Sequence, residues 1–184
     1  GSVVAVQIKD SMEYTVAVNG KPWERKFHSS RGLAVSDDGK CVAALVQVEP
    51  LAEADIFGFM EGTWSVAVNG IPWEEKFINV YAPTISPDGD FVGLRSNADD
   101  LVPGDTNNSF DAFLIDRGTA IAERSSVSTS EAEGNSDSSR PSISSNSRFV
   151  VFSSIATNLV SGDTNGFEDV FVRDRNAGRT RRVS

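Results

Sequence analysis

This chain repeats itself, and that feature narrows its fold more than any other. Tyr14-Thr15-Val16-Ala17-Val18-Asn19-Gly20-Lys21-Pro22-Trp23-Glu24-Arg25-Lys26-Phe27 returns as Trp64-Ser65-Val66-Ala67-Val68-Asn69-Gly70-Ile71-Pro72-Trp73-Glu74-Glu75-Lys76-Phe77, at an offset of 50. Val35-Ser36-Asp37-Asp38-Gly39-Lys40-Cys41-Val42 returns as Ile85-Ser86-Pro87-Asp88-Gly89-Asp90-Phe91-Val92 at the same offset. A second repeat type follows. Leu101-Val102-Pro103-Gly104-Asp105-Thr106-Asn107 becomes Leu159-Val160-Ser161-Gly162-Asp163-Thr164-Asn165, an offset of 58, and Asp111–Arg117 becomes Asp169–Arg175 in the same frame. The stretch from Pro83 to Val92 reappears more loosely as Pro141 to Val150. Periods of this length mark arrays in which one small unit stacks on its neighbours.

Each unit reads as strands. Val42–Val46, Phe149–Phe152 and Asp169–Val172 are short, rich in β-branched and aromatic residues, and bounded by turn residues. The Asp-Gly pairs at 38–39 and 88–89 lie between two such runs, a strong hairpin signal. Asn19-Gly20 and Asn69-Gly70 supply a second hairpin, since both residue types tolerate the positive φ of a type I′ turn. Pro22 and Pro72 follow at once, so the next strand belongs at a sheet edge, where a missing N–H does no harm. No helical periodicity persists beyond about two turns. The expected fold is therefore all-β. Its four antiparallel strands per unit are an inner strand ending at Ser-x-Asp-Gly, its hairpin partner, a third strand and an edge strand. That pattern fits a β-propeller of about four four-stranded blades, with a β-sandwich as the rival. The blades fall at about 3–27 (incomplete), 28–77, 78–127 and 138–184.

Ser86-Pro87-Asp88-Gly89-Asp90-Phe91-Val92 resembles the TolB-type, WD40-like (PD40) propeller repeat. Asn158-Leu159-Val160, Gly162-Asp163-Thr164-Asn165-Gly166 and Asp169–Asp174 resemble the same superfamily in its bacterial secreted or surface form, and the likeness covers about residues 83–184. The N-terminal Trp-x-Val-Ala-Val-Asn-Gly-x-Pro-Trp phrases are similar to tryptophan-rich propeller repeats found beside bacterial membrane cytochrome complexes. These resemblances imply a propeller used for binding, of bacterial periplasmic or extracellular origin, with no catalytic residues to carry over. The halves also differ in composition. All five lysines and all three tryptophans precede residue 77, and arginine dominates afterwards. A junction near residues 77–95 is expected, with the chain either a recombined or designed chimera or a natural mosaic.

The 17 basic and 26 acidic residues give a net charge of −9, which argues against generic nucleic-acid binding. No apolar run approaches the roughly 20 residues that a helical membrane span needs, and no membrane partner is expected. The chain shows no signal peptide, and Gly1-Ser2 looks like an expression scar. The single Cys41 leaves no internal disulfide or cysteine-rich zinc site. His28 is the only histidine, and no nucleophile elbow, His-Glu-x-x-His, P-loop or Gly-x-Gly-x-x-Gly occurs. His28 with Cys41 as base and nucleophile, or Asp37-Asp38 and Asp99-Asp100 as paired acids, are weaker readings than a buried cysteine, an inter-blade turn and Asx turns. No enzyme is expected.

Two loops offer metal chemistry. Asp105, Asn107 and Asp111, and their counterparts Asp163, Asn165 and Asp169, could wrap carboxylate, amide and carbonyl oxygens around calcium. Both loops lack the central acid and terminal Glu of an EF-hand, and an Asx turn leading into the third strand is the competing reading. No other cofactor is expected. Trp23, Trp64 and Trp73 could form an aromatic surface for a sugar or partner, but their recurrence favours packing between blades. Glu131–Asp137 reads as a solvated loop, and Arg173, Arg175, Arg179, Arg181 and Arg182 as a salt-bridged edge. An incomplete first blade leaves an unpaired edge, so self-association is expected, with two copies completing one eight-bladed ring and a compact four-bladed monomer as the rival. The leading function is a non-enzymatic scaffold without a selected ligand. The alternative is a natural periplasmic or surface module that binds protein or glycan and could be calcium-stabilised.

Overall fold

The computed structural model describes residues 2–49, 63–77 and 80–184; Gly1 and the blade boundary expected at Ile78 lie outside them. The described chain is all-β, with no helix. Sheet I holds β1 (Ala5–Asp10), β2 (Glu13–Val18) and β3 (Lys21–Pro22). Sheet II holds β4 (Ser29–Val35), β5 (Val42–Glu49), β6 (Thr63–Val68) and β7 (Ile71–Pro72). Sheet III holds β8 (Val80–Ile85), β9 (Phe91–Ser96), β10 (Asp111–Asp116) and β11 (Ala122–Arg124). Sheet IV holds β12 (Ser138–Ile143), β13 (Phe149–Ser154), β14 (Asp169–Asp174) and β15 (Arg179–Arg182). Every sheet is an antiparallel meander in chain order.

The turn chemistry repeats as faithfully as the strands. Asn19 and Gly20, and Asn69 and Gly70, all have positive φ, as a type I′ turn requires. Pro22 and Pro72 sit in the edge strands β3 and β7. After β4 the Ser36 hydroxyl donates to Asp38 Oδ1 (2.8 Å), while the Cys41 N–H donates to Ser36 Oγ (3.0 Å). Ser86 with Asp88 repeats this after β8, and Ser144 with Asn146 after β12. Gly39 and Gly89 take the left-handed conformation that closes the loop; in the last copy Ser147 takes it.

The first strands of sheets II, III and IV lie against one another, which places them innermost. Each carries a bulge in its pairing with the next strand, at Arg31/Leu33, Tyr81/Thr84 and Ser139/Ser142. Gly32, Ala82 and Arg140 occupy those bulges with left-handed φ. At Gly32 the space is also taken, because a Cβ would lie 2.5 Å from Cδ of Pro83 in the neighbouring sheet.

The core is a stack of face-to-face layers. Val42, Ala44, Val46 and Ala67 of sheet II meet Val16 and Phe27 of sheet I. The opposite face of sheet II, through Ala43, Leu45, Trp64 and Val66, meets Val80, Val92, Leu94 and Phe113 of sheet III. Ala112 of sheet III then packs against Phe152 and Phe171 of sheet IV. Alternation along each strand puts apolar residues on both faces, because each inner sheet has a neighbour on both sides.

Arginines plate the seams between the sheets. The Arg31 guanidinium lies between the rings of Trp64 (3.9 Å to the centroid) and Tyr81 (4.3 Å) and donates to the Val80 carbonyl (2.7 Å). Arg95 covers the Phe110 ring at 3.8 Å. Of the tryptophans, Trp64 is buried, while Trp23 and Trp73 are half-buried against neighbouring core clusters.

Candidate functional site

The two Asp-x-Asn loops are built alike, and an arginine stands at the centre of each. Loop residues Asp105 and Asn107 precede β10, whose first residue is Asp111. Asn107 Oδ1 accepts the Ser109 N–H (2.7 Å), an Asx turn, and its amide donates to Asp111 Oδ2 (3.0 Å). The Ser126 hydroxyl donates to Asp111 Oδ1 (2.5 Å). Arg124, at the end of β11, places Nη1 3.2 Å from Asp105, 3.2 Å from Asp111 and 2.9 Å from Glu133. Thr106 donates to Glu133 through both its N–H and its hydroxyl, tying the connector to the loop.

Sheet IV repeats the assembly. Asn165 donates to Asp169 Oδ2 (2.9 Å) and accepts the Phe167 N–H (2.9 Å). Ser184 donates to Asp169 Oδ1 (3.0 Å), and Arg182 Nη1 lies 2.9 Å from Asp163 and 3.2 Å from Asp169. Each residue of this second cluster stands 58 positions after its counterpart in the first. Arg124 and Arg182, with Ser126 and Ser184, escape a reading of the loops alone. Extending the 58-residue register past residue 117 finds both pairs.

The electrostatics of the two clusters differ. Burial raises the carboxyl groups of Asp105 and Asp111 above the ordinary range, despite the attraction of Arg124. At Asp169 burial also raises the carboxyl. There the hydrogen bonds from Asn165 and Ser184, with Arg182, outweigh it and leave the group below its ordinary value. The Arg124 side chain is 9% exposed and faces three acids; Arg182 is 32% exposed and faces two. Chemically, each cluster is a donor–acceptor lock closed by a guanidinium. A divalent cation on the same oxygens would lie against that fixed positive charge, so the donor set suits arginine better than calcium. Among the described residues no three His, Cys, Asp or Glu side chains converge to hold a metal ion.

The other candidates are scattered. His28 is exposed and bonds to Gln47 at one end of the β4–β5 hairpin. Cys41 is buried at the other end, beside Ser36, with Arg117 donating to its sulfur (3.0 Å). A strand of this length separates them by about 20 Å, too far for a base and its nucleophile. Asp38 serves the turn with Ser36, and Asp99-Asp100 is exposed in a turn. Glu131–Asp137, expected to be solvated, is largely exposed and also holds ion partners. Glu131 binds Arg173, Glu133 binds Arg124, and Asp137 lies 3.7 Å from Arg95. Within the C-terminal arginine group, Arg173, Arg175 and Arg182 are ion-paired, whereas Arg179 and Arg181 are exposed.

An open groove of about 1010 Å³ runs beside sheet IV, lined mainly by polar residues that include Ser128, Thr129, Ser130, Asn158 and Arg179.

No family model and no curated protein matches the chain. Solved structures do match. TolB from Acinetobacter baumannii covers 94% of this chain at 15% identity, with a TM-score of 0.54. The β-propeller domain of the Trilobed protease from Pyrococcus furiosus covers 83% at 12% identity, with a TM-score of 0.51. The tricorn protease covers 94% at 13% identity, with a TM-score of 0.55. The fold is a β-propeller. Identity this low carries the architecture alone. The chain spans 37%, 40% and 17% of those three chains, so it corresponds to part of each. In this propeller the four sheets are blades arranged as an arc, and the two locks sit at equivalent corners of blades III and IV.

Proposed function

We propose that this chain is a non-catalytic β-propeller scaffold. The observation that carries the reading is the consumption of its reactive-looking groups by structure. The four loop aspartates close on Arg124 and Arg182, and Cys41 is buried beside Arg117, remote from His28. A general acid or nucleophile has to present itself to a substrate in a cleft; these groups face one another. The change of repeat spacing from 50 to 58, together with the switch from lysine to arginine, supports a composite of two unlike propeller fragments joined near residues 77–95. One natural sequence matching closely across that junction would remove the composite origin.

The test is a panel of ester, peptide, glycoside and phosphoester substrates, run beside melting curves with and without millimolar calcium. No turnover and an unchanged melting temperature are expected. Turnover abolished by Asp111→Asn, or a calcium-dependent rise in melting temperature, would overturn the reading.

One observation favours a second reading, a periplasmic or surface module that binds a protein ligand. The groove beside blade IV offers hydroxyl and amide groups with Arg179, and its lining has no aromatic ring on which a sugar could stack. Paired glycan and peptide arrays separate the ligand classes, and peptide binding lost on Arg179→Ala would establish the alternative.

A further inference from the structure

We propose that the two end faces of this arc bind each other between two copies of the chain, closing one eight-bladed ring with two identical seams. The inference rests on the propeller fold and is independent of whether the scaffold carries a ligand.

The first end face belongs to blade I. Val4 and Asn19 exchange the same pair of hydrogen bonds as Val42 and Asn69. Val6 pairs with Ala17 as Ala44 pairs with Ala67, and Ile8 with Thr15 as Val46 with Ser65. Val4, Val6 and Ile8 therefore occupy the positions that Val42, Ala44 and Val46 occupy in blade II. There, blade I leaves those side chains at most 1% exposed; on blade I the same positions are 59%, 47% and 37% exposed. The sequence has placed an apolar row on a face where these three side chains stay exposed among the described residues.

The other end face belongs to blade IV. Val151 pairs with Val172 as Gly93 pairs with Leu114, and Val170 stands 58 residues after Ala112. Ala112 and Leu114 are buried on the side of blade III that meets blade IV. Their counterparts Val170 and Val172 are only half-buried, Val151 is 38% exposed, and the neighbouring Val183 is 61% exposed. Blade IV thus ends in the surface that blade III uses to receive its successor, and blade I begins with the surface that a successor presents.

The two faces cannot satisfy each other within one chain. Extensive inter-blade contacts run from I to II, II to III and III to IV, so I and IV are the opposite ends of the arc. Their charges also differ in sign. On the blade I face the carboxylates of Asp10 and Glu13 share the cation of Lys26, at 2.8 and 3.8 Å. On blade IV, Arg179 and Arg181 are exposed beside the valine row; Asp174, the residue across from Arg179, is taken by Arg148, and among the described residues no ion pair reaches either arginine. A head-to-tail contact repeated twice about a two-fold axis buries both rows and leaves neither end open. Four blades from each copy give eight, within the range of closed propellers.

Light scattering after size-exclusion chromatography, from micromolar to millimolar concentration, tests this directly. Wild type is expected at twice the chain mass. Val6→Glu/Ile8→Glu on one face and Val151→Glu/Val183→Glu on the other change exposed side chains, so the fold persists by far-UV circular dichroism. Each pair should raise the dissociation constant about tenfold or more. Mixing the two variants leaves one seam with both wild-type faces, so a mixed dimer should form where neither variant dimerises alone. Arg179→Glu/Arg181→Glu should weaken dimerisation, and so should added salt. A wild-type chain that stays at single-chain mass, a blade IV variant that dimerises normally, or assembly into open filaments would each overturn the proposal.

Discussion

Replacing Arg124 with methionine tests the lock where it carries the most energy. The guanidinium is nearly buried and ends against Asp105, Asp111 and Glu133; of these, Asp111 is fully buried and Asp105 nearly so. Methionine fills much of the volume but removes the cation that these three acids share, leaving two carboxylates inside the protein without that counter-charge. Breaking a buried pair by removing one partner costs about 3–5 kcal/mol. For a chain of this size that corresponds to a fall in melting temperature of roughly 6–20 °C. Arg182→Met is the matched control. Its side chain is a third exposed and faces two acids that are themselves buried, so solvent reaches only the cation and the cost should be smaller, about 1–3 kcal/mol. The pH dependence adds a second signature. Asp105 and Asp111 already titrate above their ordinary range through burial. Without Arg124 they are pushed further up, and the folded state holds their protons more tightly than the unfolded state. The deficit of the variant should therefore shrink as pH falls from 7 toward 5. Adding Asp105→Asn to Arg124→Met should recover part of the loss at pH 7. Denaturant and thermal unfolding of the three variants across that pH range supply the measurement. An Arg124→Met deficit no larger than that of Arg182→Met, or one that does not vary with pH, would refute the reasoning.

Three other perturbations address the strands, the turns and the seams. Gly32→Ala should destabilise by about 2–4 kcal/mol in chemical denaturation, since it adds a left-handed alanine to an overlap with Pro83; Ala82→Gly, at the same bulge one blade later, should stabilise by up to about 1 kcal/mol. In acid, Asp38 and Asp174 are each lowered to about 2. At Asp38 the Lys40 N–H is the largest cause, and at Asp174 the Arg148 hydrogen bond is. Their contribution is present above the ordinary carboxyl range and fades as pH falls from about 4 to 2, so Asp38→Asn/Asp174→Asn should flatten melting temperature against pH in that window. Arg31→Ala empties the slot between Trp64 and Tyr81 and should cost about 1–2 kcal/mol in urea unfolding, with Arg31→Lys recovering only part.

Much of the fold is legible in the sequence because its information is local and written several times. An Asn-Gly pair demands one turn type wherever it occurs, and proline two residues later demands an edge. Both demands are met at 19–22 and again at 69–72. The loops before β10 and β14 were half legible. Asp105, Asn107 and Asp111 advertise oxygen ligands, and an Asx turn satisfies the same composition. What favours the turn is the guanidinium arriving from the end of the fourth strand, 13 residues after Asp111. Such a partner is set by strand pairing, not by neighbouring sequence, so only the repeat register could have exposed it. Glu133 was further out of reach. It reads as part of a solvated acidic connector, and its role appears once the connector folds back over the loop and Thr106 fixes its carboxylate.

The same logic explains why the ends of this molecule differ chemically from its middle. In a self-contained domain, outward-facing strand positions turn polar, since water is their only neighbour. Blades II and III are apolar on both faces because each face has a neighbour, and blades I and IV carry that two-sided pattern outward. An array that simply stopped would need polar caps to stay soluble. Val4, Val6 and Ile8 at one end, and Val151 and Val183 at the other, are the reverse of caps. Arg179 and Arg181 do not make blade IV a cap, since they border its valine row without covering it. The repeat pattern of this chain specifies blades that have neighbours on both sides, and among the described residues the outward faces of blades I and IV, at opposite ends of the arc, keep their apolar rows on the surface.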